Sequence, residues 1–164
     1  MKVSYLLLLS LLLAACSGSK LIRNDGLKHL SLGDEMIPQG TLEYHGKTVR
    51  DTLFREGGYE WRAAILDYNK GPVYVEEDFF GSGTVNRIRI QTPQLKVKGK
   101  GHTVGMPLSE LLGEHRHWNL NFIPSYGLMD LSTPSLPGIH YLVPAQEPLP
   151  GLWTEQEPSL DALS

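Results

Sequence analysis

The chain has 164 residues, of which 41% are hydrophobic and 20% charged, and its 15 basic and 18 acidic side chains give a formal charge of −3. This composition is ordinary for a globular protein, and the acidic balance gives no general attraction to nucleic acid or to an anionic membrane. A single cysteine, Cys16, excludes an internal disulfide. We therefore expect one globular domain with tails, no nucleic-acid partner and a fold stabilised by core packing.

The N-terminal segment has the order of a secretory signal. Lys2 precedes an apolar run over residues 5–13, and Leu13-Ala14-Ala15-Cys16 ends the run in small residues. The run is shorter than the ~20 residues of a membrane-spanning helix. Cysteine after Leu-Ala-Ala resembles the bacterial lipobox, which implies a lipoprotein signal peptide over residues 1–15 and lipidation of Cys16 by fatty acyl chains such as palmitate. An ordinary cleaved signal and a buried free cysteine are the alternatives.

The lipobox resemblance also implies where in the cell the protein is located. Cleavage removes one basic residue, which leaves 14 basic and 18 acidic side chains and a charge of −4. In Gram-negative bacteria a residue other than Asp after the lipidated cysteine, here Ser17, implies the outer membrane, with the domain facing the periplasm. Residues 16–30 form the lipidated N-terminus and a predicted tether, although four apolar side chains in it could pack onto the body: Leu21, Ile22, Leu27 and Leu30.

Two helices are predicted. Residues 45–56 place Val49, Leu53 and Phe54 on one helical face, with Thr48 as a cap and a stop at Gly57-Gly58. Residues 108–114 form the second, with a stripe of leucines behind Pro107.

Strands are predicted from alternation and from turn residues. The segments 59–68, 72–77 and 85–91, with a hairpin turn at residues 69–71, indicate an antiparallel meander. In the last segment Ile88 and Ile90 face the core and Arg87 and Arg89 face solvent. Further strand candidates are residues 41–44, 94–97, 118–123, 128–131 and 139–143.

These elements predict an α+β fold over residues 31–143. We expect a mostly antiparallel sheet of about five or six strands with two short helices on one face. Residues 144–164 are rich in proline and acidic side chains, which predicts a disordered or loosely docked C-terminal tail.

Two stretches resemble a known family. Residues 83–95 read GTVNRIRIQTPQL and residues 102–113 read HTVGMPLSELLG. Together with the lipobox, this pattern resembles the uncharacterised RpoE-regulated outer-membrane lipoproteins of Gram-negative bacteria. The resemblance implies a fold and a location in the cell envelope, and it brings no catalytic residues.

A metal site is one candidate function. The run Glu114-His115-Arg116-His117 places His115 and His117 on one face if the segment is extended, and on different faces if it is helical. Zn²⁺ would need further ligands from elsewhere. A solvated helix-to-strand loop explains the same residues.

A basic loop is the second candidate. Lys96, Lys98, Lys100 and His102 alternate along the chain and could contact lipid headgroups or lipopolysaccharide phosphates. Lysines at sheet edges also serve to prevent sheet-to-sheet pairing.

Other patterns have simpler explanations. The acidic run of residues 76–78 is expected in a surface turn, and Gly81-Ser82-Gly83 precedes a strand rather than the helix a dinucleotide loop requires. The aromatic side chains are expected in the core: Tyr59, Trp61, Phe79, Phe80, Trp118 and Phe122.

An anchor and a compact domain without an assembled catalytic set favour a non-enzymatic envelope lipoprotein that binds or scaffolds another component. The membrane, an envelope protein or lipopolysaccharide are the expected partners, and no cofactor is expected. The alternative is a small periplasmic metal-binding protein or hydrolase that uses His115 and His117.

Overall fold

A computed structural model describes residues 20–145 of the chain. The predicted signal peptide, Cys16 and residues 146–164 of the predicted tail lie outside the described residues. No helix within residues 20–145 is long and apolar enough to cross a bilayer. The chain divides into two compact units, with the boundary between Leu111 and Leu112.

The first unit is built on a five-stranded antiparallel sheet in meander order. The strands over residues 59–68, 71–77 and 85–90 lie where the alternation predicted them and follow one another in the sheet, so the meander is confirmed. The sheet strands are β4 (Glu43–Tyr44), β5 (Lys47–Glu56), β6 (Tyr59–Tyr68), β7 (Gly71–Glu77) and β8 (Val85–Ile90). Short strands flank it, namely β1 (Leu21–Ile22), β2 (Gly26–Leu27), β3 (Leu30–Ser31) and β9 (Lys96–Val97).

The predicted helix over residues 45–56 is wrong, because Lys47–Glu56 forms strand β5. The segment contains Thr48, Val49 and Thr52, whose branched side chains favour a strand over a helix. Gly57 and Gly58 have φ values of 57° and 85°, which two-residue hairpin turns require, so they reverse the chain into β6 instead of ending a helix.

One face of this sheet packs against the N-terminal strands to form the core. Leu27 and Leu30 are buried there, so part of the predicted tether belongs to the folded body. Ile88 and Ile90 pack against the same cluster, as predicted. The other buried members are Met36, Ile37, Val49, Ala64, Leu66, Val73, Val75, Val85 and Leu95.

The predicted second helix is confirmed as α1 (Leu108–Gly113), which buries Leu111. It is the one α-helix within residues 20–145, so the prediction of two helices on one sheet face is wrong.

The second unit contains a three-stranded antiparallel sheet. The strands are β10 (Asn119–Ile123), β11 (Leu128–Ser132) and β12 (His140–Pro144), and a 3-10 helix (Pro124–Tyr126) joins the first two. Met129 and Leu131 are buried on β11. These strands were expected near these positions, but they form a separate sheet, and Pro144 belongs to β12 rather than to the tail.

Candidate functional site

The side of the five-stranded sheet that faces away from the core carries aromatic and charged side chains. Antiparallel pairing sets Glu76 opposite Arg87 and Tyr74 opposite Arg89, and it sets Phe54 of β5 opposite Trp61 of β6. Side chains two residues apart on a strand share a face, so these groups come together. We call this set the arginine–aromatic face: Phe54, Tyr59, Trp61, Tyr74, Glu76, Phe79, Arg87 and Arg89.

Glu76 is the centre of the arginine–aromatic face. Its side chain is fully buried, with 0% exposure, although it is ionisable. Arg87 donates to its Oε2 through Nη2 and, at 3.1 Å, through Nε, and Trp61 Nε1 donates to the same oxygen at 3.0 Å. Arg89 Nη2 lies 2.9 Å from Oε1 in an ion pair that lacks hydrogen-bond geometry. A buried carboxylate needs such partners, because an unpaired one would carry a large desolvation cost.

Both guanidinium groups also lie over aromatic rings. Arg89 Cζ is 4.9 Å from the Phe54 ring centroid and 4.8 Å from that of Tyr74. Arg87 Cζ lies 5.9 Å from the Trp61 centroid. Cation–π contacts at these distances hold the planar groups against the sheet. The prediction that these arginines face solvent is confirmed for Arg87, whose side chain is 55% exposed, while Arg89 is only partly exposed.

Exposure increases from the centre of this face to its edge. Trp61 is 6% exposed, whereas the side chains of Arg89 and Arg87 are 34% and 55% exposed. At the edge, the Phe79 ring packs edge-on against Trp61 at 4.9 Å and contacts Tyr59 at 5.5 Å, and both edge rings are more than half exposed. The face thus presents two guanidinium groups beside accessible aromatic rings.

The acidic run ends in a turn that supports this edge. Glu76 is buried, so the prediction of a surface turn is wrong for it. Asp78 does lie in the turn, where Oδ1 accepts hydrogen bonds from the backbone N–H groups of Phe80 and Ser82 at 3.0 and 3.1 Å. These bonds, that from Ser82 above all, lower the pKa of Asp78. The turn fixes where Phe79 leaves the sheet.

The sequence carries a signal for this site in the alternation of two neighbouring strands. Tyr74 and Glu76 alternate on β7, and Arg87 and Arg89 alternate on β8. The register of an antiparallel hairpin between β7 and β8 places these two pairs on the same face of the sheet. The interpretation of Glu76 as a turn residue leaves it out of that face, whereas Trp61 beside it is buried as predicted.

The predicted basic loop lies beside the N-terminal strand. Lys96, Lys98 and Lys100 are exposed, and β9 pairs in parallel with β1. His102 differs from them, because its side chain is 1% exposed and its backbone carbonyl accepts a hydrogen bond from Val97 N at 2.9 Å. The exposed charged side chains of this loop are therefore the three lysines.

The predicted histidine pair is divided between two environments. His117 is exposed, and within residues 20–145 it belongs to no group of three side chains able to hold a metal ion. His115 is half-buried, with Nδ1 2.9 Å from Ser135 Oγ and its ring edge-on to Trp118 at 5.2 Å. Ser135 Oγ also lies 3.1 Å from Thr133 Oγ1. A serine–histidine contact of this length was not foreseen, because the two residues are 20 positions apart.

The second unit also contains a shielded tyrosine. The Tyr141 ring lies 5.8 Å from that of Trp118. Burial, with a smaller contribution from the charge of Glu114, raises the pKa of Tyr141 to about 12. Its hydroxyl therefore stays protonated throughout the neutral range.

An open hollow of about 370 Å³ lies at β5 and β6 and is lined by Gln39, Asp51, Thr52, Leu53 and Arg62. The charged side chains that line this hollow already form hydrogen bonds that stabilise the fold. Asp51 accepts from Gly40 N at 2.7 Å and from Arg62 Nη2 at 2.9 Å, and Arg62 also donates to the carbonyl of Ile37.

Comparison with known proteins adds no assignment: no protein-family model, no curated protein and no solved structure matches the chain.

Proposed function

We propose that this protein is a non-enzymatic lipoprotein of the Gram-negative cell envelope. Cys16 anchors it to the outer membrane on the periplasmic side, and the arginine–aromatic face binds a phosphorylated saccharide of the envelope. The lipobox resemblance supports the anchor. One observation carries the binding proposal, namely that Glu76 and the aromatic rings hold Arg87 and Arg89 in place while leaving them partly exposed.

Charge complementarity favours an anionic ligand. The two guanidinium groups are opposed by one buried carboxylate, so the centre of the face has a net charge of +1 on a mature chain of net charge −4. The planar guanidinium matches the oxygens of phosphate better than an ammonium group does.

The edge rings favour a saccharide as the carrier of that phosphate. Phe79 and Tyr59 offer flat apolar surface beside the guanidinium groups, and sugar rings have an apolar face of C–H groups that packs on such surface. Lipopolysaccharide carries phosphate groups on glucosamine rings. The phosphates would pair with the guanidinium groups, and the sugar rings would pack on Phe79 and Tyr59.

Titration of the mature chain with the bis-phosphorylated glucosamine disaccharide of lipid A, stripped of acyl chains, tests this proposal. We expect saturable binding that perturbs the backbone NMR signals of β6 and β8, with at least tenfold weaker binding of the dephosphorylated disaccharide. Equal affinity for the two disaccharides would contradict the proposed role of the arginines.

A serine hydrolase is a second candidate function, favoured by the contact between Ser135 and His115. In the tautomer that leaves Nδ1 unprotonated, His115 accepts the hydroxyl proton, which is the first requirement for an activated serine. Labelling with a fluorophosphonate probe separates the two candidates. Labelling that is lost in Ser135→Ala but kept in Ser125→Ala, an exposed serine of the same unit, would favour the hydrolase.

A further inference from the structure

The loop that carries Lys96, Lys98 and Lys100 is hydrogen-bonded to β1, the first described strand after the proposed anchor in the sequence. Leu21 of β1 pairs with Lys96 of β9, and Ile22 pairs with Val97. Lys98 N donates to the carbonyl of Ile22 at 2.8 Å. These bonds keep the loop beside the point where the chain enters the folded unit.

The chain between the anchor and β1 is short. Leu21 is five residues after Cys16, and five residues span at most about 18 Å even when fully extended. A lipid on Cys16 would therefore hold the lysine loop within a few Debye lengths of the bilayer surface, since that length is about 8 Å at physiological ionic strength.

The loop presents its charges outward. Leu95 and Val97 are buried, whereas Lys96 of β9 and Lys98, which follows the strand, are exposed. A tight turn that includes a hydrogen bond from Gly101 N to the carbonyl of Val97 carries Lys100. None of these three lysines forms an ion pair within the described part of the chain.

We propose that Lys96, Lys98 and Lys100 bind the phosphate headgroups of the leaflet that carries the anchor, as a second membrane contact that orients the first unit. The inference rests on the proposed lipidation of Cys16. A lipid anchor and a basic patch commonly act together at one membrane, and here the patch would orient a unit that the acyl chains on Cys16 already hold there. Each lysine near an anionic surface strengthens attachment roughly fivefold, so the loop strengthens it up to about 100-fold.

The test uses the marginal strength of a single acyl chain. The mature chain, residues 16–164, contains one cysteine and can be coupled there to one C14 acyl chain through a maleimide. Partition onto vesicles is then measured by flotation, with phosphatidylcholine alone or with about 30% phosphatidylglycerol. We expect at least tenfold stronger partition onto the anionic vesicles, lost at high salt because surface charges are screened.

Two double variants of equal charge separate the loop from net charge. Lys98→Glu/Lys100→Glu should lose most of the preference for anionic vesicles. Lys47→Glu/Lys70→Glu, which alters lysines of the central sheet and its hairpin, should keep it. Equal losses in the two variants, or no preference in the wild-type chain, would overturn the proposal. Circular dichroism checks that both variants fold.

This outcome is independent of whether cells lipidate Cys16, since the acyl chain is attached chemically. A separate measurement, mass spectrometry of the N-terminal peptide of protein extracted from cells, determines whether Cys16 is lipidated. A vesicle preference without lipidation in cells would refute the anchor, and lipidation without a preference would refute the lysine contact.

Discussion

At the scale of single residues, Glu76 accounts for the arrangement of the arginine–aromatic face. Ala63 lies beside it across the sheet and leaves room for the indole of Trp61 to reach the carboxylate. Trp61 and Arg87 converge on one oxygen of Glu76, and Arg89 lies at the other. Removing the charge of Glu76 would leave two guanidinium groups against a neutral side chain, so the fold and the proposed site depend on the same residue.

Glu76→Gln is expected to lower the free energy of unfolding by about 3 kcal/mol, at the lower end of the cost of breaking a buried ion pair, because water reaches Arg87. Urea unfolding measures this change. Glu60→Gln is the matched control, since its pair with Arg55 is exposed and should contribute less than about 1 kcal/mol. Similar losses in the two variants would contradict the central role of Glu76.

Asp51 should make stability depend on acid pH. The hydrogen bond from Gly40 N, followed by the contact with Arg62, holds the pKa of Asp51 below its ordinary value. A lowered pKa in the folded state stabilises the fold above the ordinary pKa of about 3.9, and this contribution is lost as pH falls through the folded-state value. Asp51→Asn should therefore lose less stability than the wild type between pH 7 and pH 3 in urea unfolding. Parallel losses would contradict this account.

At the scale of elements, the β5–β6 hairpin explains why residues 47–56 form a strand although their pattern predicts a helix. Val49, Leu53 and Phe54 fit one face of a helix, yet in β5 Phe54 lies on the opposite face from the other two. Pairing with β6 along Val49 to Glu56 outweighs the local pattern. A helix of that length would leave one side of β6 without a hydrogen-bonded neighbour.

The hairpin turn gives a test of this explanation. Gly58 has φ of 85°, where a Cβ is strained, so Gly58→Ala should lower the free energy of unfolding by about 1–2 kcal/mol. Gly113→Ala is the control, because Gly113 lies in α1 without a positive φ and an added Cβ meets no atom within 4 Å. Thermal unfolding should show it neutral or slightly stabilised. A neutral Gly58→Ala would contradict the assigned turn.

Alternation along β6, β7 and β8 predicted the meander because each segment is bounded by turn residues. The same reasoning placed Ile88 and Ile90 in the core. It failed where contacts are distant in sequence, namely at the ion pairs of Glu76 and at the contact between His115 and Ser135. For Leu27 and Leu30 it left packing onto the body open, and both are buried. Local pattern constrains which face a residue takes, but not what covers that face.

At the scale of the whole molecule, the protein is proposed to combine a lipid anchor, a lysine loop and a binding face. The chain has a net charge of −3, and the proposed cleavage would make it −4, so its two basic surfaces act locally rather than through net charge. The proposed anchor confines the protein to one membrane, so the arginine–aromatic face would need only modest affinity for a ligand that is brought to the same membrane.

The proposed anchor at Cys16 predicts in which cell fraction the protein is found. Cys16→Ala should move the protein from the membrane fraction to the soluble fraction of the cells, because without lipidation no acyl chain holds it. Fractionation and immunoblotting measure this, with Ser17→Ala as the control that keeps the cysteine. A Cys16→Ala variant that has lost residues 1–15, as checked by its mass, and still stays in membranes would contradict a lipid anchor at this residue.

The most direct test of the central claim is a calorimetric comparison of two neighbouring phenylalanines. Phe79 packs on Trp61 and belongs to the arginine–aromatic face, whereas Phe80 is 91% exposed and lies outside it. We expect Phe79→Ala to weaken binding of the bis-phosphorylated glucosamine disaccharide about tenfold and Phe80→Ala to leave it unchanged. Equal effects of the two substitutions, or no binding by the wild-type chain, would contradict a saccharide site on this face.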